Sequence, residues 1–298
     1  MIKSFLNYPG GKYKLMNQLL PLFPSEYDNF IDMFTGSAVV SLNQENKDLK
    51  KIYAYDVNKA LISLLRYISE TPFEKIYNEV LNIINDYGLT TTFEHSYSFY
   101  GVDSSKGLGQ INKSGYINLR SSYNDKDSKY HSDLLLYVLI VYGFNNQIRF
   151  NHYGMFNNPV GKRDFNKTMQ NKLKEFCNKV QNINIEFFND DFRNIDFDIK
   201  NSFYYADPPY LITNAVYNEQ NGWNIKDELA LLQKLDKIND SGNKFALSNV
   251  LKSKGVENET LLNWSKNYNV HHLSYDYKNS SYHRNNGNCT DEVLITNY

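Results

Sequence analysis

A chain of 298 residues has room for a full catalytic core with a large insertion or second domain, and its 41% hydrophobic and 22% charged residues are those of a globular protein. A net charge of −1 means that any nucleic-acid partner must be sought in how charge is distributed, not in its sum. Two distant cysteines (Cys177, Cys289) and six histidines without metal-ligand spacing give neither a disulfide framework nor a metal site, and the lack of a secretory signal or membrane-length apolar run leads us to expect a cytoplasmic protein with no membrane partner.

The predicted elements begin with a buried strand over 29–34, followed by Thr35-Gly36-Ser37-Ala38 and a helix start at 39–42. A second strand over 51–55 ends at Asp56, and a helix is expected from 58 to about 69. This βαβα opening is the pattern of a doubly wound sheet. The middle, 72–180, breaks it. Helical periodicity at Phe73, Ile76, Val80, Ile83 and Ile84 gives way to a polar stretch over 88–133, an apolar helical run over 134–142 and a Gly/Asn/Arg-rich loop over 143–163. Between residues 100 and 180, Lys and Arg outnumber Asp and Glu by about two to one. Lys162, Arg163, Lys167, Lys172, Lys174 and Lys179 supply much of that excess, which is either a solvated face or a phosphate-binding one. Afterwards the α/β pattern resumes, with strands at 184–188, 203–206 and 245–248, helices at 226–238 and 257–267, and strands near 269–275 and 292–298. A polar loop of roughly fifteen residues (276–291), with Lys278, His283 and Arg284, joins the last two strands and is either a nucleic-acid contact or a free surface loop. The expected architecture is therefore α/β: a doubly wound, Rossmann-like sheet formed by 1–71 and 181–298, with a mostly helical domain, 72–180, inserted in it.

Asp207-Pro208-Pro209-Tyr210 follows the apolar strand 203–206, at the strand end where open α/β sheets bind ligands. Two consecutive prolines force the chain rigidly out of the ladder. The exit carries a carboxylate, a backbone carbonyl and an aromatic ring, parts suited to gripping a planar base that bears an amine. In isolation the same four residues also read as an ordinary turn capped by Asp. After the first strand, Asp32-Met33-Phe34-Thr35-Gly36-Ser37-Ala38 offers a glycine turn that lets a ligand approach backbone, and is equally a tight β–α connection. Asp56 at the second strand end suits ribose hydroxyls, or alternatively caps the helix behind it. At the N-terminus, Asn7-Tyr8-Pro9-Gly10-Gly11-Lys12 has a stacking ring, a glycine pair and a cation, but not the spacing of a P-loop.

Taken together and in this order, these stretches resemble the Dam-type family of adenine-N6 DNA methyltransferases (the D12 class, alpha group). The resemblance extends to Asn189-Asp190-Asp191-Phe192, to the final strand Glu292–Tyr298, and to the recognition-domain signature 143–159. It implies a Rossmann-like methyltransferase fold, S-adenosyl-L-methionine as cofactor and double-stranded DNA as partner. It also implies a cognate restriction endonuclease as a functional partner, or else a solitary or phage enzyme. Site roles follow from it residue by residue. Asp207, Pro208, Pro209 and Tyr210 are implied as catalytic. Tyr8, Gly10, Gly11, Lys12, Asp32, Phe34, Gly36, Ser37, Ala38, Asp56, Asp191, Phe192 and Asp207 are implied as cofactor-binding. Arg149, Asn151, Asn157, Pro159, Lys162 and Arg163 are implied as DNA-binding. Three positions depart from the family pattern: Tyr8 replaces a common Trp, Asp32 a common Glu, and Ala38 a common second Gly.

An adenine within a duplex must be flipped out to reach such a site. Arg149 is placed either to read a guanine edge by two bonds or to serve as a phosphate contact or structural ion pair. Competing readings are methylation of another planar amine or amide, a DNA-binding protein without catalysis, and a Rossmann oxidoreductase. The last lacks the GxGxxG turn it would need.

Overall fold

The computed structural model describes residues 1–8, 10–213, 222–274 and 290–298. The loop residues Lys278, His283 and Arg284, as well as Cys289 and Pro9, lie outside the described residues. In chain order the helices are α1 (Met16–Leu19), α2 (Val39–Leu42), α3 (Lys59–Glu70), α4 (Phe73–Asp86), α5 (Gly109–Asp125), α6 (Ser132–Tyr142), α7 (Lys167–Val180), α8 (Ile225–Asp240) and α9 (Glu259–Ser265). The strands are β1 (Asn29–Asp32), β2 (Lys51–Asp56), β3 (Ile185–Asn189), β4 (Ser202–Ala206), β5 (Lys244–Ser253), β6 (Val256–Glu257), β7 (Asn269–Leu273) and β8 (Asp291–Thr296).

The chain divides into two compact units. A sheet unit comprises Lys12–Thr35, Asn43–Val57 and Asn184–Tyr298, and a helical unit comprises Met1–Gly11, Gly36–Leu42 and Asn58–Ile183. All of 72–180 falls in the helical unit, which also takes in α3, the Gly36–Leu42 turn and the first eleven residues.

In the sheet unit the strands run in the order β3-β2-β1-β4-β5-β8-β7, and β6 pairs only with β5. The first five strands of that order are parallel, whereas β8 is antiparallel to both β5 and β7. This is the α/β sheet expected from the sequence. The chain reverses its winding between β1 and β4, which makes their carboxyl ends the switch point of the sheet. β4 is buried at every residue because parallel neighbours flank it on both sides, which explains its unbroken apolar and aromatic sequence. Ile31, Tyr204, Leu231, Leu235, Phe245 and Ile295 contribute to the core on one face. Since β8 runs antiparallel, its first residues lie at the same edge as the ends of β4 and β5.

The helical unit is organised around α6, which is buried from Asp133 to Tyr142 and packed by α3, α4 and α5. A helix apolar all round must be enclosed. Phe5 anchors the N-terminal segment by packing its ring at a tilt against Tyr137 and Phe176. α5 occupies part of the stretch that reads as polar in the sequence. It buries only Asn112, Tyr116 and Leu119, so too few apolar side chains mark its period. Asn58 caps α3 by accepting from the Leu61 amide, so the capping role considered for Asp56 belongs to Asn58, two residues on.

Candidate active site

Asp207 follows the last residue of β4, beside the switch point. One of its carboxylate oxygens, Oδ1, lies 2.8 Å from the Lys12 ammonium. The same oxygen accepts from the Tyr210 hydroxyl at 3.1 Å. That hydroxyl lies 2.6 Å from Lys12 Nζ and 3.1 Å from Glu292 Oε1. Lys12 Nζ also reaches Glu292 Oε1 at 3.5 Å. Four polar side chains, from the start of the sheet unit, the β4 exit and the first turnward residues of β8, thus form one closed cluster.

Lys12 is 7% exposed. Burial pulls its pKa down, but the Asp207 and Glu292 carboxylates outweigh that and hold the ammonium above its ordinary value. The Glu292 carboxyl is raised, first by burial and further by Asp207, with Lys12 opposing. Tyr210 is pushed well above its ordinary value by burial and by the two carboxylates, so it stays a neutral hydroxyl. A buried ammonium paired with two carboxylates is a site whose charge balance depends on all of its members.

Other strand ends converge on this edge of the sheet unit. Asp32 closes β1 and is buried, and Asp56 closes β2. Asn189, the last residue of β3, donates to the backbone carbonyls of Asp56 and Val57 and so fixes the path of the β2 exit. Asp191 accepts from the Arg193 amide and guanidinium, which ties down the turn that presents Phe192. The Phe192 ring lies 5.3 Å from Phe34 and 5.7 Å from Trp223. Trp223 is held in turn by Glu228, whose carboxylate accepts from its indole and from the side chains of Asn249 and Asn258. The result is an apolar aromatic cluster backed by a satisfied buried carboxylate.

Within the helical unit, the Asn7–Gly11 segment turns through a bond from the Gly11 amide to the Tyr8 carbonyl, with Gly10 at φ +74°. The Tyr8 ring lies against Gly36. A Cβ on Gly36 would stand 3.1 Å from Tyr8 Cε1, and the residue has φ +46°. Ala38 adopts φ +59°, a conformation that L residues rarely take. The departure at Ala38 is therefore felt in the backbone of its own turn.

The 143–161 loop is a hairpin held by bridges Gly143↔Val160 and Phe150↔Phe156. Arg149 donates from Nε to the Asn157 side chain and from Nη2 to the Asn157 carbonyl, both at 2.9 Å. Asn151 accepts from the Tyr153 and Met155 amides. The Pro159 carbonyl accepts from the Phe144 amide. Arg149, Asn151, Asn157 and Pro159 thus build the hairpin. Tyr153, at its tip, is 77% exposed and lies against His152. Lys162 and Arg163 are exposed, with contacts to the Ser105 carbonyl and the Tyr97 hydroxyl. No group of side chains among the described residues has a metal-binding arrangement, and no described helix is long and apolar enough to cross a membrane.

Two features were missed by sequence reasoning. Glu292 reads in the sequence as part of a strand, and only the antiparallel course of β8 brings it to Tyr210. His152 and Tyr153 carry no motif, and their prominence comes from the hairpin.

Residues 8–279 match the family described as D12 class N6 adenine-specific DNA methyltransferase. The chain belongs to this family. Among curated family relatives, it is 40% identical over 305 residues to the Type II methyltransferase M.FokI of Planomicrobium okeanokoites, covering 100% of this chain and 43% of that protein. It is 38% identical over 307 residues to the modification methylase StsI of Streptococcus sanguinis, again with 100% and 43% coverage. A DNA adenine methylase of Haemophilus influenzae is 25% identical over 209 residues, 70% of this chain and 64% of that protein. The chain spans less than half the length of M.FokI and StsI.

Proposed function

We propose that this chain transfers a methyl group from S-adenosyl-L-methionine to N6 of an adenine flipped out of double-stranded DNA at a specific site. The observation that carries this reading is Asp207-Pro208-Pro209-Tyr210 at the β4 exit beside the switch point, in a chain of the D12 family. The relatives named type II methyltransferase and modification methylase favour a restriction–modification setting, with a cognate endonuclease as functional partner.

The N6 amine of adenine is a poor nucleophile because its lone pair is delocalised into the ring. The Asp207 carboxylate and the Pro208 carbonyl accept its two hydrogens and favour a tetrahedral nitrogen with its lone pair turned outward. The Tyr210 ring lies along the base face and holds it in line. In the arrangement observed here the Lys12 ammonium and the Tyr210 hydroxyl both engage Asp207 Oδ1, so an amine directed to that oxygen meets them there.

The residues present fit the cofactor. Asp32 and Asp56, at neighbouring strand ends, supply carboxylates for an amine and for ribose hydroxyls. Phe34 and Phe192 supply an apolar aromatic wall suited to an adenine ring, and Asp191 holds the turn that presents Phe192. In the helical unit, Gly36 lets the Tyr8 ring lie against the backbone of the Gly36-Ser37-Ala38 turn, and Gly10, Gly11 and Tyr8 belong to the other assigned cofactor segment. When bound, S-adenosyl-L-methionine supplies a methyl group activated by its sulfonium charge.

DNA is engaged by the 72–180 segment. The hairpin braced by Arg149 and Asn157 presents His152 and Tyr153 to base edges, while Lys162 and Arg163 meet phosphates. Incubation with methyl-labelled cofactor and, side by side, double-stranded DNA, RNA and protein tests the reading. Label in N6-methyladenine of DNA supports it, and label confined to RNA, protein or cytosine overturns it.

A further inference from the structure

Glu292 has no role in the reading above, yet it sits in the innermost cluster of the sheet unit. It is the second residue of β8, opposite Val250 of β5 and Leu273 of β7. Neither of those neighbours is charged. Ionisable side chains next along the flanking strands are engaged elsewhere: Lys252 pairs with Glu257, and the His272 ring meets Asp291. Among the described residues, the titratable groups facing Glu292 are Lys12, Asp207 and Tyr210, with Tyr205 of β4 feeling its charge. Its side chain is 13% exposed.

The cluster sets a problem of charge. Lys12 is nearly buried, and its closest carboxylate is Asp207, at 2.8 Å, with Glu292 second at 3.5 Å. The reading proposed above requires Asp207 to accept one hydrogen of the substrate amine. An ammonium still bound to Asp207 Oδ1 would compete for that oxygen, and an ammonium released without a counter-charge would be left buried and unpaired, which is strongly unfavourable. Tyr210 faces the same exchange, because its hydroxyl is shared between Asp207 and Glu292 at 3.1 Å each.

We propose that Glu292 is a positioning residue that takes over the Lys12 ammonium and the Tyr210 hydroxyl when a target adenine engages Asp207. Closing the 3.5 Å gap to the ordinary length of a charge-assisted bond needs a movement of about 0.7 Å. Lys12 and Tyr210 thereby keep a partner, and Asp207 Oδ1 is freed to accept one hydrogen of the amine while the Pro208 carbonyl accepts the other. No bond other than hydrogen bonds changes in this exchange. Glu292 acts through Lys12 and Tyr210 and does not touch the base.

This inference rests on the proposed activity, so the wild-type protein is tested first. If it forms no N6-methyladenine on double-stranded DNA, that activity falls, independently of Glu292. If it does, Glu292→Gln is compared with it on DNA whose methylated adenine has been mapped, and on the same DNA with 2-aminopurine at that position. Glu292→Gln keeps the side-chain shape and removes the charge. Turnover is expected to fall roughly tenfold or more, with the cofactor KM unchanged and a weaker fluorescence signal from the flipped 2-aminopurine. In a Lys12→Met background the same substitution is expected to change the 2-aminopurine signal and turnover by less than about twofold, because the ammonium to be received is gone. Asp291→Asn, one residue away and paired with His272, is expected to behave as wild type. The proposal is overturned if Glu292→Gln stays within about twofold of wild type in both measurements, or if its loss persists undiminished without Lys12. Failure of Glu292→Gln to fold, read by thermal melting, would also overturn it by making Glu292 a structural residue.

Discussion

Lys12 Nζ stands 2.8 Å from Asp207 Oδ1 in a setting where the lysine is almost fully enclosed. The lysine belongs to an N-terminal Gly-Gly-Lys segment that reads as a cofactor contact, yet its ammonium meets the Asp of the Asp-Pro-Pro-Tyr exit. An ammonium hydrogen-bonded to this carboxylate is the same kind of donor that an exocyclic amine would be. The site is thus already shaped to hold an N–H donor at Asp207, and the chain itself provides one.

Replacing Asp207 separates chemistry from folding. Asp207→Ala is expected to lower methylation by roughly 10³-fold, within the range that a lost acid–base or amine-binding group commands. The fold should survive, because Glu292 remains as counter-charge for Lys12. Circular dichroism and thermal melting alongside the methylation assay check both parts, and near-normal turnover would remove Asp207 from the mechanism.

The raised carboxyl of Glu292 predicts a signed pH effect on stability. A carboxyl whose folded value lies above its unfolded 4.5 binds more protons in the native state, so its contribution falls as pH rises from about 4.5 through the folded value. Glu292→Gln lacks this titration. Wild type should therefore lose stability relative to the variant across that window, and below it the difference should be constant. Denaturant midpoints of both proteins at a series of pH values measure this, and parallel curves would contradict it.

The Gly36-Ser37-Ala38 turn gives a paired prediction. Gly36→Ala must hold a side chain at φ +46° with its Cβ 3.1 Å from the Tyr8 ring, which costs about 1–2 kcal/mol of stability and displaces the ring. Cofactor affinity should drop with it, as isothermal titration would show. Ala38→Gly relieves φ +59° but loosens the unfolded chain, so its stability should stay within about 1 kcal/mol of wild type. A large loss in Ala38→Gly would mean that the Ala38 methyl makes an essential contact.

The hairpin separates bracing from contact. Arg149→Ala removes two bonds to Asn157 and should loosen the whole loop, weakening both DNA affinity and site choice. Tyr153→Ala leaves those bonds intact and should weaken DNA binding with melting unchanged. Lys162→Ala and Arg163→Ala should each lower the salt dependence of binding by about one unit of slope. Fluorescence anisotropy against salt and sequence distinguishes these cases.

How far the sequence reached follows from what each element needed. β1, β2 and β4 were legible because apolar runs of strand length end at Asp32, Asp56 and Asp207, and local chemistry marks those ends. α5 was not, because Asn112, Tyr116 and Leu119 bury too narrow a stripe to leave a period. Arg149 was legible as special but its partner was not: its bonds to Asn157 depend on the hairpin register. Glu292 was invisible as a site residue, since only an antiparallel strand inserted between β5 and β7 carries its first residues to the β4 exit.

The most direct measurement is nucleoside analysis of double-stranded DNA after incubation with the purified protein and S-adenosyl-L-methionine carrying an isotopic methyl label. The account predicts label in N6-methyladenine at a defined sequence, lost with Asp207→Ala. Label in any other base, or N6-methyladenine formed as fast by the Asp207→Ala variant, would contradict it.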